Sequence, residues 1–152
     1  MEIGVLGGTG PAGSGLAVRL ASVGFDVVIG SRSKYRAMEV ADKLLAKWSD
    51  RELSIAAGDN HTAASAEVVF VATPWDAAAA TVKDCETELK GKVVISMANA
   101  LARVGHEFQP LVPPRGSVAA SVQAAVPRSL VAASMHHVPA AELGDIAHPV
   151  ES

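Results

Sequence analysis

The stretch EIGVLGGTGPAGSGLAVRLASVGFDVVIGSRS, residues 2–33, decides the fold. Residues 2–6 (EIGVL) are a short apolar run that stops at a glycine cluster, as a buried strand does. From Pro11 to Val23 the apolar residues Leu16, Ala17, Leu20, Ala21 and Val23 recur at helical spacing, and Gly24 stands where a C-terminal cap belongs. DVVIG at 26–30 then reads as a second buried strand. Between the first strand and the helix lies Gly8-x-Gly10-x-x-Gly13, and each glycine has a physical task. Gly8 permits the tight turn, Gly10 lets the backbone approach a pyrophosphate, and Gly13 lets helix and strand pack closely. Pro11 gives up nothing in a first helical turn, whose N–H groups are free to face phosphates. A lone match of this kind is weak, and its plain alternative is a glycine-rich turn without a ligand; between a strand and a helix, in a βαβ unit, it points to a dinucleotide.

The same alternation continues outward. Ser33 is placed to cap a helix running to about Trp48, and the sequence then predicts a strand at Leu53–Ala57 and a short helix at His61–Ser65. A strand at 67–73, a helix from Trp75 to Leu89 and a strand at 92–97 follow. Residues 98–116 carry Gly105, Pro110, Pro113, Pro114 and Gly116, which predicts loop with at most a short turn of helix. A helix over 117–126 and a strand over 129–134 complete the pattern. Six strands separated by helices predict an α/β fold, a Rossmann-type doubly wound parallel sheet in three layers, with residues 1–152 as one domain. A closed barrel would need eight such units.

Composition agrees and excludes other classes. The 152 residues are 49% hydrophobic yet include only two Trp, one Tyr and three Phe, so the core must be built from Ala, Val, Leu and Ile. A net charge of -3 with no Lys/Arg run argues against a nucleic-acid or anionic-membrane surface. Cys85, the one cysteine, excludes an internal disulfide and a thiol metal cluster, and predicts a reducing, cytoplasmic setting and an inert side chain. No apolar stretch approaches the ~20 residues needed to span a bilayer, and Met1 leads straight into the strand without a basic leader.

The choice of dinucleotide rests on the end of the second strand. An NAD site usually carries Asp or Glu there, to accept from the ribose hydroxyls. Here Gly30 takes that place, followed by Ser31, Arg32, Ser33, Lys34 and Arg36. Guanidinium groups bind a 2′-phosphate through charge-assisted hydrogen bonds, whereas a carboxylate would repel it. The plain alternative is that these charges solvate a helix start, but cations there oppose the helix dipole. NADP is the expected cofactor, with Arg32 its leading ligand.

With these residues in hand, the chain resembles the F-420:NADP oxidoreductases, reductases that pair NADPH with the deazaflavin coenzyme F-420 (8-hydroxy-5-deazaflavin). The resemblance rests on residues 4–33, on VATPWDAAAATV at 71–82, on LKGKVVIS at 89–96 and on HHVPAAELGD at 136–145. It implies that Thr9, Gly10, Pro11 and Ala12 contact the pyrophosphate, and Ser31, Arg32 and Arg36 the 2′-phosphate. It further implies that Pro74, Trp75 and the backbone near Ala98 and Asn99 line the nicotinamide end, with His136 to Ala140 where nicotinamide and deazaflavin meet. No catalytic acid or base is expected, because hydride transfer between two cofactors asks mainly for ring stacking at near-attack distance.

Two departures stand out. Family members continue past the point matching Ser152 into another strand and a small helical region, so the resemblance implies that this C-terminal part is absent and that the exposed surface favours a homodimer. ASMHH at 133–137 lacks the bulky apolar residue expected near Ser134 or Met135. A non-catalytic NADP-binding domain and a related flavin or ferric reductase domain are the alternatives. Among the remaining histidines, His61, His106 and His148 read as surface residues, and no thiolate or carboxylate stands at metal spacing from His136 and His137.

Overall fold

A computed structural model describes residues 1–150. In chain order the elements are β1 (Glu2–Leu6), α1 (Pro11–Ser22), β2 (Asp26–Ser31), α2 (Lys34–Lys47), β3 (Ile55–Asp59), α3 (Asn60–Ala64), β4 (Val68–Val71), α4 (Ala78–Asp84) and α5 (Glu86–Leu89). They continue with β5 (Val93–Ser96), β6 (Leu101–Val104), β7 (Glu107–Pro110), α6 (Val118–Ala125), β8 (Leu130–Ala133) and α7 (Ala140–Gly144). Six strands form one sheet in the order β3-β2-β1-β4-β5-β8, and every pair in it is parallel. This is the Rossmann-type doubly wound sheet, with its order reversing between β1 and β4.

Strand alternation sorts the core into two faces. Ile3, Val5, Val27, Ile29 and Phe70 pack with Leu16 and Ala17 of α1, Ala37 and Ala41 of α2, and Leu143 of α7. On the other face Leu6, Val28, Val69, Val71 and Val94 pack with α3, α4, α5 and α6. The sheet is thereby buried on both sides, which is why its central strands are continuous Val/Ile/Leu runs instead of alternating ones.

The helix caps expected from sequence are present. Gly24 has φ +94 just past α1, and the Ser33 Oγ accepts from the Arg36 N–H at 3.4 Å. Ser117, expected inside the helix and not as its cap, does the same for α6, accepting from the Ala120 N–H at 3.0 Å. Other boundaries shift. The third strand begins at Ile55, two residues later than expected, and β4 ends at Val71. The helix expected over Trp75–Leu89 is broken in two. Its start is delayed because the Pro74 carbonyl accepts from the Ala77 N–H in a turn, and at Cys85 the N–H turns back to the Val82 carbonyl. Residues 98–116 are not simply loop. β6 and β7 pair antiparallel as a hairpin across Gly105-His106, where Gly105 supplies the positive φ of +63 that a two-residue turn requires. α7, a helix that periodicity gave no reason to expect, packs on α1. There Gly15 makes room: a Cβ at that position would lie 2.9 Å from the Ala140 carbonyl oxygen.

Candidate dinucleotide-binding site

Open parallel sheets bind ligands outside the carboxyl ends of their strands, where the order reverses. In this molecule that point lies between β1 and β4, and a cleft of about 580 Å³ opens there. Its floor is the glycine turn, and one of the three glycine tasks falls on a different residue than the motif alone suggests. The turn itself is made by Gly7, at φ +65. Gly8 instead serves close packing: its N–H donates to the Gly30 carbonyl at 2.9 Å, and a Cβ there would meet the Val5 carbonyl oxygen at 2.9 Å. Gly13 holds helix against strand, since its Cβ would lie 2.7 Å from the Gly8 Cα and 3.0 Å from the Ala72 Cβ. Gly10 caps α1 with no side-chain bond, and nothing lies within 4 Å of where its Cβ would be. That open cradle sits at the mouth of the helix, where the unpaired N–H groups and the positive dipole end favour a phosphate. Pro11 occupies the first turn. Pro11 is exposed, Ala12 leans on the α1-side core, and Gly8 and Gly13 are buried under the turn, so Thr9 and Gly10 are the motif residues that face the cleft.

The wall beyond the β2 end is cationic. Ser31, Arg32 and Arg36 all line the cleft. Both arginines are exposed, and among the described residues neither lies within ion-pair distance of a carboxylate. The Ser31 Oγ accepts from the Ser33 N–H at 3.2 Å, leaving its own hydrogen available to donate. The absence of a strand-end carboxylate has to be read at Ser31. Gly30 faces α3, where a Cβ would lie 2.7 Å from the Ala63 Cβ and 3.0 Å from the Asn60 Oδ1, so no side chain at 30 could reach the cleft.

Asn60, which sequence reasoning passed over, is the hinge of this arrangement. It is 9% exposed, it lines the cleft, and its Oδ1 accepts from the Gly7 N–H at 3.1 Å. It thereby ties α3 to the glycine turn. The one available signal was DNHT at the end of the third strand: the Asp59 carboxylate caps α3, accepting from the Thr62 N–H at 2.8 Å and the Thr62 hydroxyl at 2.7 Å. Those bonds, the backbone one first, hold Asp59 below the usual carboxylate range. On the far wall α4 contributes Ala80, Thr81 and Asp84, also unforeseen.

At the other end of the cleft stand Thr73 and Pro74 after β4. The Thr73 Oγ1 is buried and lacks a hydrogen-bond partner among the described residues, which is costly unless a ligand supplies one. Trp75 does not line the cleft. It is half-buried against the α6-side core, together with Ala98 and Ala100. Ala98, Asn99 and His136 are brought together at a separate hollow, where the Asn99 Nδ2 donates to the His136 carbonyl. Ala140 belongs to neither. It sits at the start of α7 against Gly15, because Pro139 launches a helix whose close approach to α1 carries it off the cleft. Cys85 is fully buried, and burial first, then the carboxylates of Glu88, Asp84 and Asp59, push its thiol up to about 12, so it is inert near neutrality.

These features fit NADP: an open cradle at Gly10, two cations without internal partners at the β2 end, and an orphaned hydroxyl at the β4 end. Comparison with known proteins agrees. A family model described as NADP oxidoreductase coenzyme F420-dependent matches residues 2–100. The F420-dependent NADP reductase of Methanocaldococcus jannaschii is 39% identical over 156 residues, covering 99% of this chain and 70% of that protein. The protein of the same name from Methanothermobacter marburgensis is 43% identical over 96 residues, 62% of this chain and 43% of that one. A crystal structure from Arthrobacter sp. FB24, provisionally described as an F420-dependent NADP reductase, superposes with a TM-score of 0.73 at 26% identity, covering 91% of this chain and 64% of that one. An imine reductase from Bacillus cereus, at 17% identity and a TM-score of 0.61, shares the fold.

Proposed function

Because the chain belongs to the coenzyme F420-dependent NADP oxidoreductase family, we propose that it is an NADP-dependent oxidoreductase whose second reactant is the deazaflavin coenzyme F-420. The observation that carries the reading is the pairing of the open Gly10 cradle with the unpaired Arg32 and Arg36 at the β2 end of one cleft. When bound, the two coenzymes supply the redox chemistry, one hydride passing between nicotinamide and deazaflavin.

The chain's own part is placement. Residues 1–152 serve as the NADP-binding unit. The α1 N-terminus holds the pyrophosphate, with Thr9 and Gly10 facing it and Pro11 and Ala12 forming the first turn behind them, and Asn60 fixes the turn that presents it. Ser31, Arg32 and Arg36 hold the 2′-phosphate. Thr73 and Pro74 bound the ring end, and Ala98, Asn99 and His136 stand beyond it. No general acid or base is required, which accords with strand ends that carry Thr73 and Ser96 in place of paired carboxylates.

The test is turnover by the chain: NADPH absorbance should fall when oxidised coenzyme F-420 is added, with a matching change in the deazaflavin band. Tight NADPH binding without turnover would refute the catalytic reading for this chain and favour an NADP-binding domain without activity. A homodimer would draw on the exposed Val104, Phe108, Val112 and Leu130. Sedimentation reads it directly. A cytoplasmic setting suits the single, buried, unreactive Cys85, and no described helix is long and apolar enough to cross a membrane.

A further inference from the structure

The far wall of the dinucleotide cleft is one face of α4, where the helical repeat brings Ala77, Ala80, Thr81 and Asp84 together. Two of the four carry only a methyl group, which leaves a smooth surface against which a flat ring can lie. Asp84 is the one carboxylate among the described residues that line the cleft. It shares that cleft with Arg32 and Arg36 yet lies within ion-pair distance of neither; its partner among the described residues is the His61 Nε2, 3.5 Å from its Oδ2. The other carboxylate oxygen is left to accept. A negative charge in a cleft that receives phosphates repels them unless a donor on the same ligand compensates.

Position decides which end of the ligand carries that donor. Thr73 and Pro74 stand at the β4 end, just before α4, and Asp84 closes the same helix about 10 Å further along its axis. His61 belongs to α3, which follows β3, and β3 lies beyond β2 in the sheet. Asp84 is thereby drawn to the side of the sheet that carries Ser31, Arg32 and Arg36, away from the ring end. A 2′-phosphate held by the arginines fixes the ribose carbon next to the one that bears the base, so the base falls within reach of the same end. Adenine presents one exocyclic donor there, its 6-amino group.

We propose that Asp84 selects the base of the dinucleotide, its free carboxylate oxygen accepting from the 6-amino group of an adenine that lies against Ala80 and Thr81. This rests on the NADP reading of the cleft and adds a contact that the phosphates do not supply. An ionised carboxylate has no hydrogen to give, so it accepts from an amino group and repels an oxo oxygen in the same place. The cleft therefore distinguishes adenine from hypoxanthine, which carries an oxo group there, independently of the 2′-phosphate.

The experiment titrates the unaltered chain and Asp84→Asn with NADPH and with reduced nicotinamide hypoxanthine dinucleotide phosphate, which differs from it only in the base. The unaltered chain should bind NADPH about tenfold more tightly, as expected for one charge-assisted hydrogen bond to a carboxylate whose side chain is 77% exposed. In Asp84→Asn the ratio should fall to about one, because an amide turns its oxygen to an amino group and its nitrogen to an oxo group equally well. The ratio is the readout: loss of the His61 pair, or of a charge near the phosphates, moves both dissociation constants alike. A ratio near one in the unaltered chain overturns the inference and leaves the NADP reading standing. So does a ratio that persists in Asp84→Asn; if both affinities fall together there, Asp84 serves a ribose hydroxyl instead of the base. Failure of the unaltered chain to bind either dinucleotide overturns the NADP reading and the base assignment together.

Discussion

Replacing Arg32 by Ala isolates the contribution of one guanidinium to cofactor choice. Arg32 lines the cleft, is exposed, and makes no ion pair among the described residues, so its removal breaks nothing inside the protein. Two unit charges 4 Å apart attract by about 1 kcal/mol in bulk water and about 4 kcal/mol at the effective dielectric near a protein surface. Exposure and a Debye length of about 8 Å at physiological salt pull the value toward the lower half of that range. A charge-assisted hydrogen bond measured by deletion is worth about 1.5–3 kcal/mol, and the two routes overlap near 2 kcal/mol. The dissociation constant for NADPH should therefore rise about 30-fold. NADH has no 2′-phosphate, so its affinity should stay the same, and the NADPH preference should fall by the whole factor. Raising the ionic strength should shrink the difference between variant and unaltered chain. Isothermal titration with both cofactors at two salt concentrations measures all of this, and thermal unfolding should show no loss of stability. An unchanged NADPH preference in Arg32→Ala would refute the assignment. A preference lost only in Arg36→Ala would transfer it to the other arginine.

Three further outcomes follow from particular contacts. Asn60→Ala leaves the Gly7 N–H without its acceptor, which should cost about 1–3 kcal/mol in unfolding free energy and weaken both NADPH and NADH. Asn60→Asp keeps an acceptor and should recover most of the stability by denaturant titration. The Arg19 guanidinium donates to the carbonyls of Glu142 at 2.7 Å, Leu143 at 3.2 Å, Asp145 at 2.6 Å and His148 at 2.8 Å, clipping α7 and the segment after it to α1. Arg19→Leu should accelerate amide exchange across residues 140–148 while the sheet amides stay protected, and uniform exchange would refute the clip. His61 links α3 to α5 and α4, its Nδ1 lying 3.0 Å from a Glu88 oxygen and its Nε2 3.5 Å from an Asp84 oxygen. The bond to Glu88, foremost, raises the imidazole above its ordinary 6.5, while the Glu88 carboxyl is held below 4.5 by its own backbone N–H and then by His61. The stability due to His61 is full below 6.5 and lost as pH rises through the raised value, whereas that due to Glu88 is full above 4.5 and lost as pH falls through the lowered one. An NMR titration should place His61 above 6.5, and in Glu88→Gln that elevation should diminish.

How much of this was legible in the sequence depends on whether a feature is local. β1, α1 and β2 were readable because Pro11, Gly24 and the apolar runs mark their own boundaries through backbone geometry and burial. The hairpin was not. Its strands are four residues each and nearly all exposed, so no apolar alternation announces them, and the same Gly105 and Pro110 that punctuate a loop also build a turn and an edge. α7 escaped for the opposite reason. At five residues it has too little periodicity to detect, and it is held by Arg19 and Gly15, more than a hundred residues away in the chain.

The cofactor site divides along the same line. That a carboxylate is missing at the end of β2 could be read from GSRS, but which residue of that end faces the cleft could not, because a strand's period of two fixes alternation without fixing its phase. The phase is set by α3: the Ala63 Cβ stands 2.7 Å from where a Gly30 Cβ would be, which assigns position 30 to packing and position 31 to the cleft. Asn60 acts in both roles at once, crowding Gly30 through its Oδ1 and accepting from Gly7 with the same atom. The glycine at 30 is therefore the structural condition that lets α3 come close enough to steady the glycine turn. On the function proposed for the chain, the Ser31 hydroxyl and the guanidiniums of Arg32 and Arg36, which line the cleft just after it, are the groups that would select a phosphorylated ribose.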